Sequence, residues 1–581
     1  LRRDRLIRSI PISLVLLILA QLLSPAAATA QATSSWEEGV LKVGLLEEPR
    51  TLNPWLASDA WSNKVLKLIY QPLYRHEPKD LELVPWLAAE KPVYDPTAVT
   101  YTITLRKAKW SDGSEVTAED VVFTGELIQK FKIPRFASKW AFVKKTEALD
   151  KRTVRFYLES PKATFLTRTL STPIMPKKQW AQVAEDALKT KKPLAKLLQF
   201  KVTDPLGCGP FMLKQWRTGV YLYLIENPHF FGSGQTIAGL QLGPNIKGIL
   251  FKIFGVSDAA ILALRKGSID FYWNSIQPGY LKEIEKDKSI VVYRNKKSGM
   301  YFFGFNLRRP PFNDLSLRQA VATLIDKEFI IQRVLQGFGE PMDSVIPSGN
   351  VMFYCTDGVN YGRGLDRNGR IIEAQRILKK AGYSWDEPPV DENGEVGEGQ
   401  GLRMPDGTLM EDFTILTPPA DYDPNRAMAG MLIQEWLRQI GMPAFAKPMA
   451  FGSLIKMLKY THDFDCFVLG YGSLSLDPGY VRNFFISSQD RRRGWNMSGF
   501  KDRRYDRIAN ESINTMDIPK RRRLVCEMQK ILRRETPYIP LYNPWILEGV
   551  RAERFQGWIS MVEGIGSVWS FCTVKPVSQA K

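Results

Sequence analysis

The chain has 581 residues, 44% of them hydrophobic and 11% aromatic, with a formal charge of +19. That length exceeds what one ordinary core organises, so two to four structural units are expected, and the composition excludes a disordered chain. The basic residues are dispersed apart from short runs at 491–493 and 521–523, and no nucleic-acid motif accompanies them, so the charge reads as solvated surface.

At the start, Arg2, Arg3, Arg5 and Arg8 precede an apolar run from Ile10 to Leu23, followed by Ala28, Thr29 and Ala30. A charged region, a short apolar region and a small-residue site make a secretory signal over 1–30, with cleavage expected after Ala30. A retained membrane anchor is the alternative, disfavoured because the run is shorter than the roughly 20 residues that span a bilayer. No cysteine stands beside the cleavage site, which speaks against a lipid anchor.

Residues 41–46 alternate and then break at Pro49 and Pro54, which predicts a strand feeding a loop. Residues 61–70 carry apolar side chains at helical spacing and stop at Pro72. Alternation returns over 100–105, a turn follows at Trp110 to Gly113, and Thr117 with Asp120 forms a capping box ahead of Val121, Val122, Phe123, Leu127 and Ile128. Further strands are expected over 153–158, 222–226, 249–254, 300–305 and 413–416. Helices are expected from Asp258 to Leu264, from Leu317 onward, and through Met428, Met431, Leu432 and Trp436 to a cap at Gly441. Strands and helices mixed in this order make α/β lobes. Residues 384–407 are crowded with Asp, Glu, Gly and Pro, and read as an exposed insertion loop.

Little in the chain points to catalysis. His76, His229 and His462 are isolated and belong to no metal or nucleophile motif. Cys208 lacks a histidine pattern to activate it, and no CxxC spacing offers a zinc site. The five cysteines, Cys208, Cys355, Cys466, Cys526 and Cys572, form at most two pairs, and sequence does not name them. Carboxylates are plentiful, but a hydrolase needs a spatial pair that sequence does not provide. These residues leave open an exported carboxylate-dependent hydrolase, a sensor for a signalling partner and a non-catalytic binding protein needing no metal or organic cofactor.

A series of segments carries a more specific signal: Leu105 to Val122 with Trp110-Ser-Asp-Gly113 at its centre, then Gly207-Cys-Gly-Pro-Phe211, Lys266-Gly-Ser-Ile-Asp270, Phe305-Asn306 and Pro310-Pro-Phe312. Arg318-Gln-Ala-Val321, Ala381-Gly-Tyr383, Ile440-Gly441, Asp477-Pro478 and Pro537-Tyr-Ile-Pro-Leu541 continue it. In this order, over about residues 40–545, they resemble the family-5 extracellular solute-binding proteins, receptors of ATP-driven importers. The resemblance implies a two-lobed periplasmic-binding-protein fold with mixed sheets, an extra inserted domain and a double-strand hinge. Lobe I would take 31–80, 201–297 and 540–581, the insertion 81–200 and lobe II 298–539, with crossings near Ser298 and Pro540. It further implies a monomeric periplasmic receptor. This would capture an oligopeptide-like or oligosaccharide-like solute for an ABC permease and ATPase complex at the inner membrane, with no nucleic-acid partner.

Capture between lobes needs flat apolar groups for area and a few polar groups for orientation. The resemblance directs attention to Trp273 and Asn274 after Asp270, to Tyr301, to Tyr471, Gly472 and Ser473, and to Trp495 and Asn496. Core packing is an equal alternative for Trp273 and Trp495 and the stronger one for Tyr301. Asn496 could instead cap a turn, and turn formation outweighs ligand contact for Asp477-Pro478. Peptide receptors of this family place an acid three residues before the acidic residue of that pair to hold the peptide's α-amino group. Leu474 stands there in this chain, which implies a cargo lacking that amine.

Overall fold

The computed structural model describes residues 39–577, so the expected signal segment and its cleavage site lie outside the described residues. Two large mixed sheets organise the molecule. The first has seven strands in the order 290–295, 546–551, 271–272, 40–45, 248–253, 221–226 and 211–217. Val40–Leu45 is buried along nearly its whole length and runs parallel to Gly248–Ile253 and Phe271–Tyr272, as expected of a strand covered on both faces. The second sheet has six strands in the order 339–341, 538–544, 300–305, 466–471, 413–417 and 444–448. Here Phe413–Thr417 is parallel to both Cys466–Tyr471 and Ala444–Pro448, whereas Met300–Phe305 lies antiparallel between Cys466–Tyr471 and Tyr538–Pro544.

The inserted region builds a third, four-stranded antiparallel sheet from 93–95, 100–104, 153–158 and 143–148. Every second residue of Thr153–Leu158 is buried, so one face packs and the other meets water. Its helix Ala118–Phe131 begins with the expected capping box, the Thr117 amide donating to Asp120 Oδ2 at 2.8 Å. This region shares one core with the first sheet: Trp86 packs edge-on against Trp569 at 5.0 Å between ring centroids. The second sheet has separate cores on its two faces.

The strand expected over 300–305 and the helix expected over 61–70 form as Met300–Phe305 and Ala60–Ile69. Gly207 and Gly209 let the chain press against the end of that helix, where a Cβ on either would sit within 2.2 Å of the carbonyls of Ile69 or Leu68. The 384–407 loop is less free than its composition implies. Val390 and Leu402 are buried in the second sheet's core, Trp385 Nε1 donates to the Ile440 carbonyl at 2.7 Å, and Gln375 exchanges two hydrogen bonds with Val390. A few apolar side chains and satisfied backbone groups suffice to seat a polar loop. Cys355 and Cys526 form a disulfide across 171 residues of sequence, while Cys208, Cys466 and Cys572 are buried thiols. Among the described residues no helix is long and apolar enough to cross a membrane.

The chain passes between the large sheets twice, between Asn295 and Met300 and between Pro544 and Ile546. Pro540 still pairs with Phe302 in the second sheet and Pro544 with Gly339, while Ile546 pairs with Asn295 in the first, so the return lies beyond the expected position.

Candidate functional site between the two sheets

Strand directions decide which side chains flank these crossings. In the second sheet the parallel strands 413–417, 444–448 and 466–471 all end at one edge. The antiparallel strand 300–305 begins there, with Met300 opposite Tyr471, and Tyr542 lies opposite Tyr301. In the first sheet, 40–45 and 271–272 end toward the edge where 546–551 begins. Both hinge-side edges thus collect strand ends and loops, the place where open α/β sheets bind ligands.

The second-sheet edge is aromatic. Tyr301 stacks on Tyr542 at 4.9 Å and 11°, and Tyr471 is nearly parallel to Phe302 and Phe484. Burial raises the pKa of the Tyr301 and Tyr471 hydroxyls, so both stay neutral donors. Gly472 and Ser473 are exposed just past the strand end. In the loop after 413–417, Tyr422 is 56% exposed and stacks on Phe451 at 4.9 Å. Asp423 caps the helix Pro424–Arg438 by accepting from the Arg426 amide at 3.0 Å and pairs with Arg426 Nε at 2.7 Å. The Tyr542 hydroxyl and Arg426 Nη1 are buried with no partner among the described residues, as are several core groups such as Trp55 Nε1 and Trp180 Nε1. Trp495 is 44% exposed beneath Lys459 Nζ, 3.6 Å from the ring centroid.

Asn496 departs from the expectation of a ligand contact. It is 1% exposed; its Nδ2 donates to the carbonyls of Phe485, Ile486 and Phe500, and its Oδ1 accepts from the amides of Gly499 and Phe500. An amide so fully committed organises its own loop. Trp273 departs likewise, being 5% exposed, packed on Phe571 at 5.0 Å and covered by Gly566, where any Cβ would collide with its indole. The Trp273 carbonyl accepts from Lys64 Nζ, itself held over the Trp61 and Trp273 rings at 4.6 and 4.9 Å. Burial lowers the Lys64 pKa and raises that of nearby Glu548, whose Oε2 accepts from the Ile565 amide at 2.6 Å. Asn274 is half-buried and donates to the Tyr272 hydroxyl at 3.3 Å.

Several contacts bridge the halves, and two of them involve residues considered above. At the outward crossing, Glu563 accepts from the Ser298 amide at 2.7 Å, while Ser298 Oγ lies 3.1 Å from Ser473 Oγ. The Leu474 backbone exchanges hydrogen bonds with Ser298 there, which ties this position to the hinge. Farther along, Asp477 is buried, pairs with Arg521 at 2.8 and 3.1 Å, accepts from the Gly479 amide and receives a 2.5 Å bond from Thr167 Oγ1 of the inserted region. Burial alone would raise the Asp477 carboxyl, but Arg521 and these donors hold it below the usual carboxylate range. Asp477 therefore combines the expected turn with a buried ion pair. Cys208 is buried and its thiol is pushed up to about 12, which leaves no thiolate for nucleophilic chemistry near neutral pH.

Residues 82–492 match the bacterial extracellular solute-binding proteins, family 5 Middle. The chain belongs to that family. The oligopeptide-binding protein AppA of Bacillus subtilis is 27% identical over 548 residues, covering 91% of this chain and 92% of its own. The probable D,D-dipeptide-binding periplasmic protein DdpA of Escherichia coli is 24% identical over 516 residues, covering 87% and 88%. HbpA2 from Haemophilus parasuis superposes with a TM-score of 0.74 at 20% identity, covering 93% of this chain and all of that one, and shares the fold.

Of the expected contacts, the family-5 fold brings Tyr301, Tyr471, Gly472 and Ser473 to one sheet edge, with Asn274 on the other. Tyr422, Arg426 and Tyr542 were not singled out from sequence. Tyr542 directly follows the Pro537-Tyr-Ile-Pro-Leu541 segment, which was the available signal; nothing marked Tyr422 or Arg426.

Proposed function

We propose that this protein is the capture component of an ATP-driven importer, closing its two lobes over a small solute and delivering it to a membrane permease. The division into a first lobe of 39–80, 201–297 and 546–577, an insertion of 81–200 and a second lobe of 298–544 belongs to this reading. The observation that carries it is the convergence of Tyr301, Tyr471, Gly472 and Ser473, from separate strands, on the hinge-side edge of the second sheet. A solute touching both edges stabilises the closed arrangement because it binds that arrangement more tightly than the open one. Near-complete reversal of such an equilibrium takes ~5.5 kcal/mol of differential binding, within reach of a few stacked aromatic and hydrogen-bonded contacts.

AppA is named for oligopeptides, which makes a peptide-like cargo the first class to test. Leu474 and the committed Asp477 supply no free carboxylate for an α-amino group, so the cargo is one whose recognition does not depend on a free amine. A thermal-shift screen of free and end-blocked peptides, oligosaccharides and organic anions tests this reading, followed by small-angle scattering on each hit. The expected result is a saturable rise in melting temperature with compaction and no chemical change in the solute. Product accumulation, or binding without compaction, would overturn it.

A further inference from the structure

Among the described residues, five cations on the first-sheet side have no carboxylate in direct contact. Lys67 lies one turn beyond Lys64 on the helix Ala60–Ile69, with an accessible side chain. Surrounding protein nevertheless lowers its pKa, with Arg75 and Arg135 adding to the effect and Glu563 opposing it. Accessible yet poorly hydrated describes the wall of a deep cleft. Arg75 donates to Gln71 Oε1 at 2.8 Å, and its Nε is buried without a partner. Arg135 reaches the same helix through Asn63 Oδ1 and donates to the Ala57 carbonyl at 2.5 Å.

Lys139 shares the Phe136 ring with Arg135, at 5.3 and 5.1 Å. Thr169 Oγ1 donates to the Lys139 carbonyl, which sets the turn bearing Arg168 against it, and Thr167 of that turn is the residue that meets Asp477 from the other half. The five charges thus form a continuous series from the cleft helix to the junction of the halves. Among the described residues none of them forms a close ion pair; Glu563 acts on Lys67 and Asp59 on Arg135 only at longer range, and each acid accepts its close hydrogen bonds from other groups. Glu563 binds Ser298, Asp477 binds Arg521, Asp59 caps the helix through the Ser62 amide, and Glu548 faces Lys64.

Like charges gathered with no acid in direct contact are unfavourable in a partly desolvated site, and a ligand of opposite charge relieves them. We propose that Lys67, Arg75, Arg135, Lys139 and Arg168 form an anion subsite that seats a multiply charged oxyanion end of the cargo, carboxylate or phosphate. The inference rests on the receptor reading and names its cargo class: a solute with two or more negative charges at one end, its uncharged remainder lying on the aromatic edge opposite.

The test is titration calorimetry of the purified protein with matched pairs: Ala-Ala-Glu-Glu against Ala-Ala-Gln-Gln amide, digalacturonate against lactose, and glucose 6-phosphate against glucose. At least one anionic member is expected to bind about tenfold or more tightly than its neutral counterpart. That advantage should shrink several-fold between about 0.05 and about 0.5 M salt. The carboxylate and phosphate arms separate the two sources of charge. Lys67→Gln and Arg135→Gln should each remove about tenfold of the anionic affinity while leaving the melting temperature of the free protein unchanged or raised, since repulsion is relieved. Lys67→Arg, which keeps the charge, should retain binding. Neutral members binding as tightly as anionic ones, with compaction, would overturn the subsite and leave the receptor reading intact. Failure of every anionic probe to bind would also overturn it, whereas the receptor reading falls on the broad screen instead.

Discussion

The two edges of the cleft solve different problems with different residues. The second-sheet edge is built from stacked rings, Tyr301 on Tyr542 and Tyr422 on Phe451, with Asp423 neutralising Arg426 beside them. The first-sheet edge presents cations with no acid in direct contact among the described residues, and its Trp273 is sealed into the core. Rings offer area to many solutes, whereas unpaired charge discriminates by sign. Generality and selectivity are thereby assigned to opposite sides of one opening.

The comparison holds only while the sides are kept in register, and the junction through Asp477 is where that breaks most severely. Asp477→Asn strips Arg521 of its buried partner and should lower unfolding free energy by ~3–5 kcal/mol in denaturant titrations. Because the folded-state pKa of Asp477 is depressed, its contribution is present above the ordinary carboxylate pKa and lost as pH falls through the folded value. The stability gap between wild type and variant should therefore narrow in acid below about pH 4.

Trp273→Ala tests whether the first edge is truly without an aromatic contact. It should cost ~3–5 kcal/mol of stability, as for a core tryptophan, and a variant rescued by low temperature should keep most of its affinity. Tyr422→Ala is the mirror image: stability within ~0.5 kcal/mol of wild type, and cargo affinity lower by about tenfold. Equal effects of these two substitutions on binding would erase the contrast between the edges.

The smallest expected effect is a pH dependence. Burial, with Arg168 and Arg135 beside it, lowers Lys139 to about 8. The other group against it is the Phe136 ring, and no carboxylate pairs with it. A bound anion favours the protonated amine, so affinity for an anionic cargo should be full below about pH 8 and fall several-fold as pH rises beyond it. Proton uptake on binding, read from calorimetry in buffers of different ionisation enthalpy, should appear near that pH.

Much of the scaffold was legible because short-range chemistry decides it. Alternation marked the strand at 153–158, Thr117 with Asp120 marked a helix start, and Gly441 at φ +80° marked a helix end. The site was legible only in part. An aromatic placed at a strand end has the same sequence signature in a core as in a cleft, and the difference for Trp273 lies in Phe571 and Gly566, some three hundred residues away. Asn496 looked like a polar contact because its acceptors are carbonyls, which any residue supplies and no pattern records. The pairing of Cys355 with Cys526 and the gathering of Lys67 with Arg135 and Arg168 depend in the same way on which surfaces the topology brings together.

The strand Ile546–Arg551 lies inside the first sheet, flanked by 290–295 and 271–272, although it is among the last segments of the chain. The sheet that begins at Val40 is thus left with a gap until this strand is available, and the pairs that close it, Phe271 with Val550 and Ile290 with Arg551, lie more than about 250 positions apart in sequence. Contacts of such long range form slowly. A nascent or threading chain of this layout therefore stays unfinished until this strand arrives, and any truncation before residue 546 exposes the 271–272 edge and leaves 290–295 without its neighbour in the sheet.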